Sequence, residues 1–168
     1  MNSIHKNQAP QPSNNYHFDH AKLLIESFRR VCGRDLISAA GKIRNDSSQR
    51  DLAKALFEAN VVVVSHGTEA DPIFNYANQR ALTLFEMNWD EFTALPSRKS
   101  AEPLHRDARE ELMQTVRDNG FIDNYSGVRI SSSGQRFSIE SAVVWNVIDP
   151  LGVLHGQAAT FSEVSFLR

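Results

Sequence analysis

Cysteine is almost missing from this chain of 168 residues. The single thiol, Cys32, cannot close an intramolecular disulfide, and alone it cannot build a cysteine metal site. Long apolar runs are missing as well. No segment approaches the roughly 18 apolar residues that a membrane helix requires. The polar, Pro-containing start MNSIHKNQAPQPSNNYHF has no apolar core of the kind a secretory signal needs. A membrane partner is therefore excluded, and the cytoplasm is the expected location. Charge of one sign is not in excess either: 18 Lys and Arg stand against 20 Asp and Glu, for a net charge of −2. Without a broad basic field, nucleic acid is not an expected partner. The small cluster Arg29, Arg30 and Arg34 reads as a solvated helix face. There is no internal repeat.

What remains is enough chain to bury a core without staples. Residues 1–17 are rich in Asn, Gln, Ser and Pro and read as a disordered leader. Residues 18–59 read as a helical extension. Leu24, Phe28 and Val31 share one face of a first helix that Gly33 stops. Asp46 to Ser48 offer caps for a second, with Leu52, Ala55, Leu56 and Ala59 as a narrow apolar stripe. Residues 60–168 read as the main domain. The run Val61-Val62-Val63-Val64 is β-branched, short and apolar on both faces, which predicts a central strand. His66-Gly67 ends it and Asp71-Pro72 turns the chain into a second strand, Ile73 to Tyr76.

Asn78 can cap a helix carrying Ala81, Leu82 and Phe85, and Asn88-Trp89-Asp90-Glu91 has the spacing of a capping box. Pro103 suits the first turn of a longer helix, with Leu104, Ala108, Leu112 and Val116 every four residues and Asn119-Gly120 as its stop. After Gly120 the period falls to two. Ile122–Ser131, Gln135–Ile148 and Val153–Phe161 read as strands joined by turns at Ser133-Gly134 and Pro150-Gly152. Phe137, Ile139, Val143, Trp145 and Val147 are expected on one face. The fold class is α+β: a five-stranded antiparallel sheet with helices on one face, preceded by N-terminal helices.

That order of elements resembles the PAS fold. The blocks IFNYANQRALTLFEMNWDEF, LPSRKSAEP, GFIDNYSGVRISSSGQRF and WNVIDPLGVLHGQAA resemble the MEKHLA domain, a PAS-related family, in what looks like its stand-alone bacterial form. The resemblance covers roughly residues 20 to 165. In plants this domain type ends homeodomain leucine-zipper transcription factors, where it is thought to sense a signal and restrain dimerisation. The resemblance therefore implies a sensory or regulatory module that binds a small molecule or a protein partner, has no catalysis of its own, and assembles as a homodimer or with a regulatory protein. Helices before a PAS core commonly mediate dimerisation, so Leu24, Phe28 and Val31 are the expected dimer contact.

The cofactor is open. A light-oxygen-voltage flavin adduct needs a cysteine beside the flavin, and Cys32 precedes the PAS-like core, so that chemistry is excluded. Such domains also set a Gln against the flavin. Gln157 is one position out of step, and simple alternation would put it on the opposite face. Haem is disfavoured, because His105 lies about one turn before the usual ligand position. His66, Glu69 and Asp71 are the nearest thing to a catalytic or metal cluster, but polar residues serve turns anyway. Ser97, Arg98 and Ser100 could hold an anion before the long helix. The candidate ligand contacts are Asn75, Asn78, Trp89, Ser97, Arg98, Asn124, Tyr125, Trp145 and Gln157. Arg129 is divided between a pocket and the outer sheet face. Two other classes compete: a small enzyme using His66 or His105 with nearby carboxylates, and a ligand-free interaction domain with a filled core.

Overall fold

The computed structural model describes residues 8–37, 49–102 and 106–168. Two helices come first, α1 (Phe18–Cys32) and α2 (Gln49–Phe57). Strands β1 (Val62–His66) and β2 (Phe74–Ala77) follow, then α3 (Gln79–Phe85), the single turn α4 (Trp89–Phe92) and α5 (Arg106–Asn119). The chain ends in β3 (Phe121–Ile130), β4 (Arg136–Ile148), β5 (Leu154–Phe161) and β6 (Glu163–Phe166). The sheet is antiparallel in the order β2-β1-β5-β4-β3. β6 is a sixth strand that the sequence reading folded into the chain end. It continues the line of β5 along β4, pairing Phe137 to Glu140 where β5 pairs Val143 to Ile148.

Both faces of the sheet are covered. Val63, Val143, Trp145, Val147 and Ala158 face α1 and α2. Val62, Val64, Phe137, Ile139, Ala142 and Phe161 face the aromatic side chains of α3 and α4, and Val144 faces Leu112 and Val116 of α5. The all-apolar β1 run thus has one neighbour layer for each of its two faces. The expectation that Phe137 and Ile139 share a face with Val143, Trp145 and Val147 fails at Ser141. That residue has a left-handed φ of 54°, and the β3–β4 register slips beside it. One extra residue reverses the alternation, so the first half of β4 faces α3 and the second half faces α1.

The N-terminal layer is bound to the sheet by specific contacts. Phe28 meets Trp145 edge-on with ring centroids 4.8 Å apart, and the indole Nε1 donates to Ser27 Oγ at 3.1 Å. Leu24 and Phe28 are buried here and Val31 is half-buried. The expected dimer contact is therefore an intramolecular one: these side chains cover their own sheet. His20 Nε2 donates to Ser65 Oγ at 2.9 Å, and that hydroxyl donates on to Asn75 Oδ1 at 2.5 Å. Residues 12–17, read as leader, form a 3₁₀ turn whose Tyr16 is buried against Phe57, at 6.4 Å between centroids. The aromatic anchor orders a segment whose composition alone reads as loose. Arg29, Arg30 and Arg34 remain at the surface but take partners, in Asp35, the Ile148 carbonyl and Asp123. The caps proposed at 46–48 and the Pro103-Leu104 start of the long helix lie outside the described residues. Among the described residues, no helix is long and apolar enough to cross a membrane.

Asn78 ties the layers together. Its Oδ1 accepts from Val63 N and Ala81 N, both at 3.1 Å, and its Nδ2 donates to Leu56 O at 3.2 Å and Val61 O at 2.7 Å. This one fully buried amide caps α3 and joins it to β1 and to the end of α2. At the far end of α3, Glu86 takes the left-handed cap. Its carboxylate accepts from the hydroxyls of Ser131 and Ser133, while Ser132 Oγ donates to the Glu86 carbonyl at 2.6 Å. The three serines of the β3–β4 hairpin thus have a docking role beyond the turn itself. The capping box at Asn88 forms as the spacing predicts, with Asn88 and Glu91 bonded in both directions at 2.9 Å.

Asn78→Ala should lower the unfolding free energy by about 2–4 kcal/mol, since it removes a cap and leaves buried backbone groups unpaired. Denaturant melts read this; a loss under about 1 kcal/mol would refute the bridging role. His20 gives a pH test. Burial, then the charges of His17 and His155, lower its pKa to about 4. Below about 6.5 the unfolded chain binds a proton that the folded one resists, so this stability is present above that pH and is lost on the way down to about 4. The loss should reach up to about 3 kcal/mol. His66, Glu86 and Asp149 are also depressed and act in the same direction. The measurement is therefore the difference in acid sensitivity between wild type and His20→Gln, and equal slopes would refute the assignment.

Candidate functional site

A cavity lies between α5 and the sheet, closed at one side by Phe74 and Phe85. The helix covers it with Leu112 and Val116, as expected, but with Arg109 in place of Ala108. Ala108 is exposed, and Arg109, Leu112 and Val116 are the buried positions, with Met113 beside them. A step of four residues overshoots a helical turn by about 40°. A strict four-residue stripe therefore drifts, and the buried arc runs through 109, 112, 113 and 116 instead. That spacing was visible in the sequence; the charge on Arg109 concealed it.

The apolar walls are Val64, Phe74, Phe85, Leu112, Ile139, Val144 and Phe161. The polar groups among them are few. Arg109 is only 5% exposed, and the one hydrogen bond described for its side chain runs from an Nη to Ser97 Oγ at 2.5 Å. Burial first, then the nearby Arg129 charge, lower its pKa to about 10, so it stays charged at neutral pH. Arg129 is 8% exposed and donates to its neighbour's carbonyl, Val128 O, at 2.9 Å and to Tyr125 Oη at 3.2 Å. Its guanidinium also lies 5.8 Å from the centre of the Tyr125 ring. Among the described residues neither guanidinium pairs with a carboxylate. Asp71, an acid that acts on Arg109 from beyond α5, is paired with Arg98 at 3.0 and 3.1 Å.

The other polar groups come from strand ends. Gln157 pairs across β5 with His66 of β1 and Asn146 of β4, all three on the cavity side. The expectation that Gln157 faces the other way is thus corrected. Alternation is regular from Gln157 through Ala159 to Phe161, which sets Gln157 on their face; the register shift of β5, at Leu154–Gly156, where Gly156 has φ +144°, lies before it. Gln157 Nε2 donates to Met113 O at 2.9 Å and to Asn146 Oδ1 at 3.3 Å. Both partners are acceptors, so the amide orientation is set by chemistry. Gln157 Oε1 is left buried with no hydrogen-bond partner. His66 has Nδ1 2.9 Å from Gly67 O and Nε2 3.5 Å from Met113 Sδ. Burial lowers its pKa.

Of the sequence candidates, Tyr125 and Gln157 line the cavity, and Ser97 positions Arg109 from just behind it. Six others do not belong to it. Asn78 has all four of its hydrogen bonds committed to backbone. Trp145 and Trp89 lie in the cluster on the α1 side, Trp89 against His17 and Tyr76. Asn75 is exposed and holds Ser65. Arg98 closes the turn before β2 through Asp71. Asn124 is an exposed left-handed residue at a register shift in β3. His105 lies outside the described residues. His66 does not converge with Glu69 and Asp71, which are exposed, and no group of three or more metal-ligating side chains occurs among the described residues. Cys32 packs on the α1 side of the sheet, and burial raises its pKa to about 11.

Comparison with known proteins agrees with the architecture. The MEKHLA domain model matches residues 18–166. Among curated relatives, the homeobox-leucine zipper protein HOX32 of Oryza sativa is 29% identical over 151 residues, 88% of this chain and 16% of that protein. ATHB-9 of Arabidopsis thaliana is 28% identical over 146 residues, covering 86% and 17%. The chain thus spans about a sixth of the length of these relatives. They are plant proteins, so the expected stand-alone bacterial form gains no support from them. Among solved structures, a PAS domain from Colwellia psychrerythraea superposes with a TM-score of 0.59 at 13% identity, over 70% of this chain and 95% of that one. An RNA-binding light-oxygen-voltage receptor superposes with a TM-score of 0.58 at 18% identity, over 76% and 36%. The fold is PAS-like.

Gly156 sets the cavity end that carries His66 and Gln157. A Cβ there would lie 1.9 Å from His66 O. Gly156→Ala should therefore part β1 from β5 at this end and cost about 3 kcal/mol or more. A melting temperature unchanged from wild type would show that the close approach is not needed.

Proposed function

The chain belongs to the MEKHLA domain family, and on that premise we propose that it is a sensory and regulatory module that takes a small ligand into the cavity under α5. One observation carries the reading: an apolar-walled cavity on the sheet holds buried charged and polar groups whose bonding is incomplete. One amide oxygen there, Gln157 Oε1, lacks the partner that buried polar groups otherwise find, and the two guanidiniums bond only to neutral oxygens. In a core that serves only to fill space such groups cost stability. In a binding site they select the occupant.

The proposal has no catalytic step. His66 is turned to a backbone carbonyl and a thioether, and no hydrogen bond described for it reaches a carboxylate. It also keeps the cytoplasmic location, the division at about residue 60 into a helical extension and a PAS-like domain, and assembly with a second copy or a regulatory protein. Because Leu24 and Phe28 cover the sheet, the assembly surface in this reading lies elsewhere than on that face of α1.

One observation favours a second reading. The cavity offers only about 50 Å³ to the centre of a water molecule, well below the roughly 300 Å³ of common ligand sites. A ligand-free interaction domain would have such an interior. The size also argues for a ligand much smaller than a flavin or a haem.

A thermal-shift and native mass-spectrometry screen with small metabolites, neutral and charged, separates the two. Ligands should raise the wild-type melting temperature and show as mass adducts. The cavity-filling Ala159→Leu should abolish both effects. If no compound binds wild type while Ala159→Leu melts higher, the interaction-domain reading takes its place.

A further inference from the structure

Three features of the cavity limit what could occupy it. The first is charge. Arg109 and Arg129 bring two guanidiniums to one cavity, with ten N–H donors between them. Described side-chain bonds use one donor of Arg109 and two of Arg129. All these acceptors are neutral oxygens, so the charge has no partner. The acids that act on Arg109, Glu110 and Asp71, are both exposed. Two like charges at one buried site favour an anion, and the planar fork of guanidinium matches a carboxylate.

The second feature is the unpaired acceptor. Gln157 Oε1 is buried, and its orientation is set by two acceptors on the nitrogen side. It needs a donor. An ammonium would supply one, but it would be repelled by the arginines and would find no carboxylate among the lining residues. A hydroxyl supplies one without charge. Gln157 bonds to the backbone of Met113, one turn beyond Arg109, which is about 6 Å along the helix axis. Anion and hydroxyl therefore belong at different points of the same small molecule.

The third feature is size. Space of about 50 Å³, at roughly 10–15 Å³ per water-sized body, admits a molecule of about three to five heavy atoms. Val144, Ile139 and Phe161 give it an apolar wall.

We propose that the cavity is a receptor site for a small hydroxycarboxylate, with its carboxylate held by Arg109 and Arg129 and its hydroxyl donated to Gln157 Oε1. This rests on the sensor reading above and names the ligand class for that same site.

The test is calorimetric and thermal-shift titration of the full chain with glycolate and lactate. Controls are the deoxy acids acetate and propionate, the neutral lactamide, the amino acid alanine, and inorganic phosphate. The hydroxy acids should bind about tenfold or more tighter than lactamide and the deoxy acids, the size of one good hydrogen bond or charge contact. Arg109→Met should abolish this binding and raise the melting temperature of the ligand-free protein, because it removes an unpaired buried charge. A purely structural Arg109 would give a lower melting temperature. Gln157→Leu should erase the preference for hydroxy over deoxy acids. Equal binding of lactamide overturns the anion assignment, and equal binding of the deoxy acids overturns the hydroxyl. Binding of alanine or phosphate in place of the hydroxy acids overturns the ligand class. If none of these binds but neutral metabolites do, this proposal fails and the sensor reading stands. If nothing binds at all, both fail.

Discussion

Burial of both faces of the central strands is the constraint on which the rest of this structure depends. β1 is apolar at every position but its last two, and each of its five residues is buried. A strand of that kind cannot leave one face to water, so the sheet needs a layer on either side. α3 to α5 supply one and α1 with α2 the other. Within this three-layer arrangement Trp145 and Phe28 bind the outer helix, while Asn78 links the end of α2, β1 and the start of α3 through its four hydrogen bonds. The N-terminal helices are thus part of the core rather than an arm attached to it.

That double burial also explains where the cavity is. The outer face is filled by large side chains that interlock, Trp145, Phe28, Tyr76 and Leu24 among them. The inner face is packed tightly under α3 and α4, where Phe74 stacks on Phe92, Phe92 meets Phe85, and Phe85 meets Phe137 edge-on. Under α5 the sheet presents Ala159, Val144 and Gln157, which are too small or too polar to fill the space. The helix answers with Arg109 and Met113. In this region of the inner face the molecule departs from close, satisfied packing. Buried polar groups with incomplete bonding oppose stability, and the binding role proposed for the cavity gives a physical reason to retain them.

The local structure was largely legible because it rests on short-range rules. The Asn78 and Asn88 caps, the Gly33 and Gly120 stops, and the strands at 62–66, 136–148 and 154–161 all follow from residues close in sequence. The candidate site was much less legible. Trp145 and Trp89 were attractive as ligand platforms because aromatic residues are, and both turned out to serve the α1 layer. Arg109 was hidden because a charged residue on an amphipathic helix normally faces water, although its spacing to Leu112, Met113 and Val116 placed it on the buried side. The face of Gln157 was hidden because its spacing after Gly156 departs from the flavin-domain pattern, whereas its alternation with Ala159 and Phe161 is regular.

By itself the sequence determined the element order, the α+β class, the antiparallel sheet and the family, because periodicity, caps and turn residues act over a few positions. It also limited the chemistry of the single cysteine. Only the tertiary structure decided which side chains meet. One single-residue event, the left-handed Ser141 in β4, sets which residues of that strand face α1 and which face the opposite layer. A strand's faces exchange when one residue is added to the count, so the contents of the cavity depended on geometry that no local pattern encodes. The two arginines and the unpaired Gln157 oxygen become a site only once α5 lies across that face.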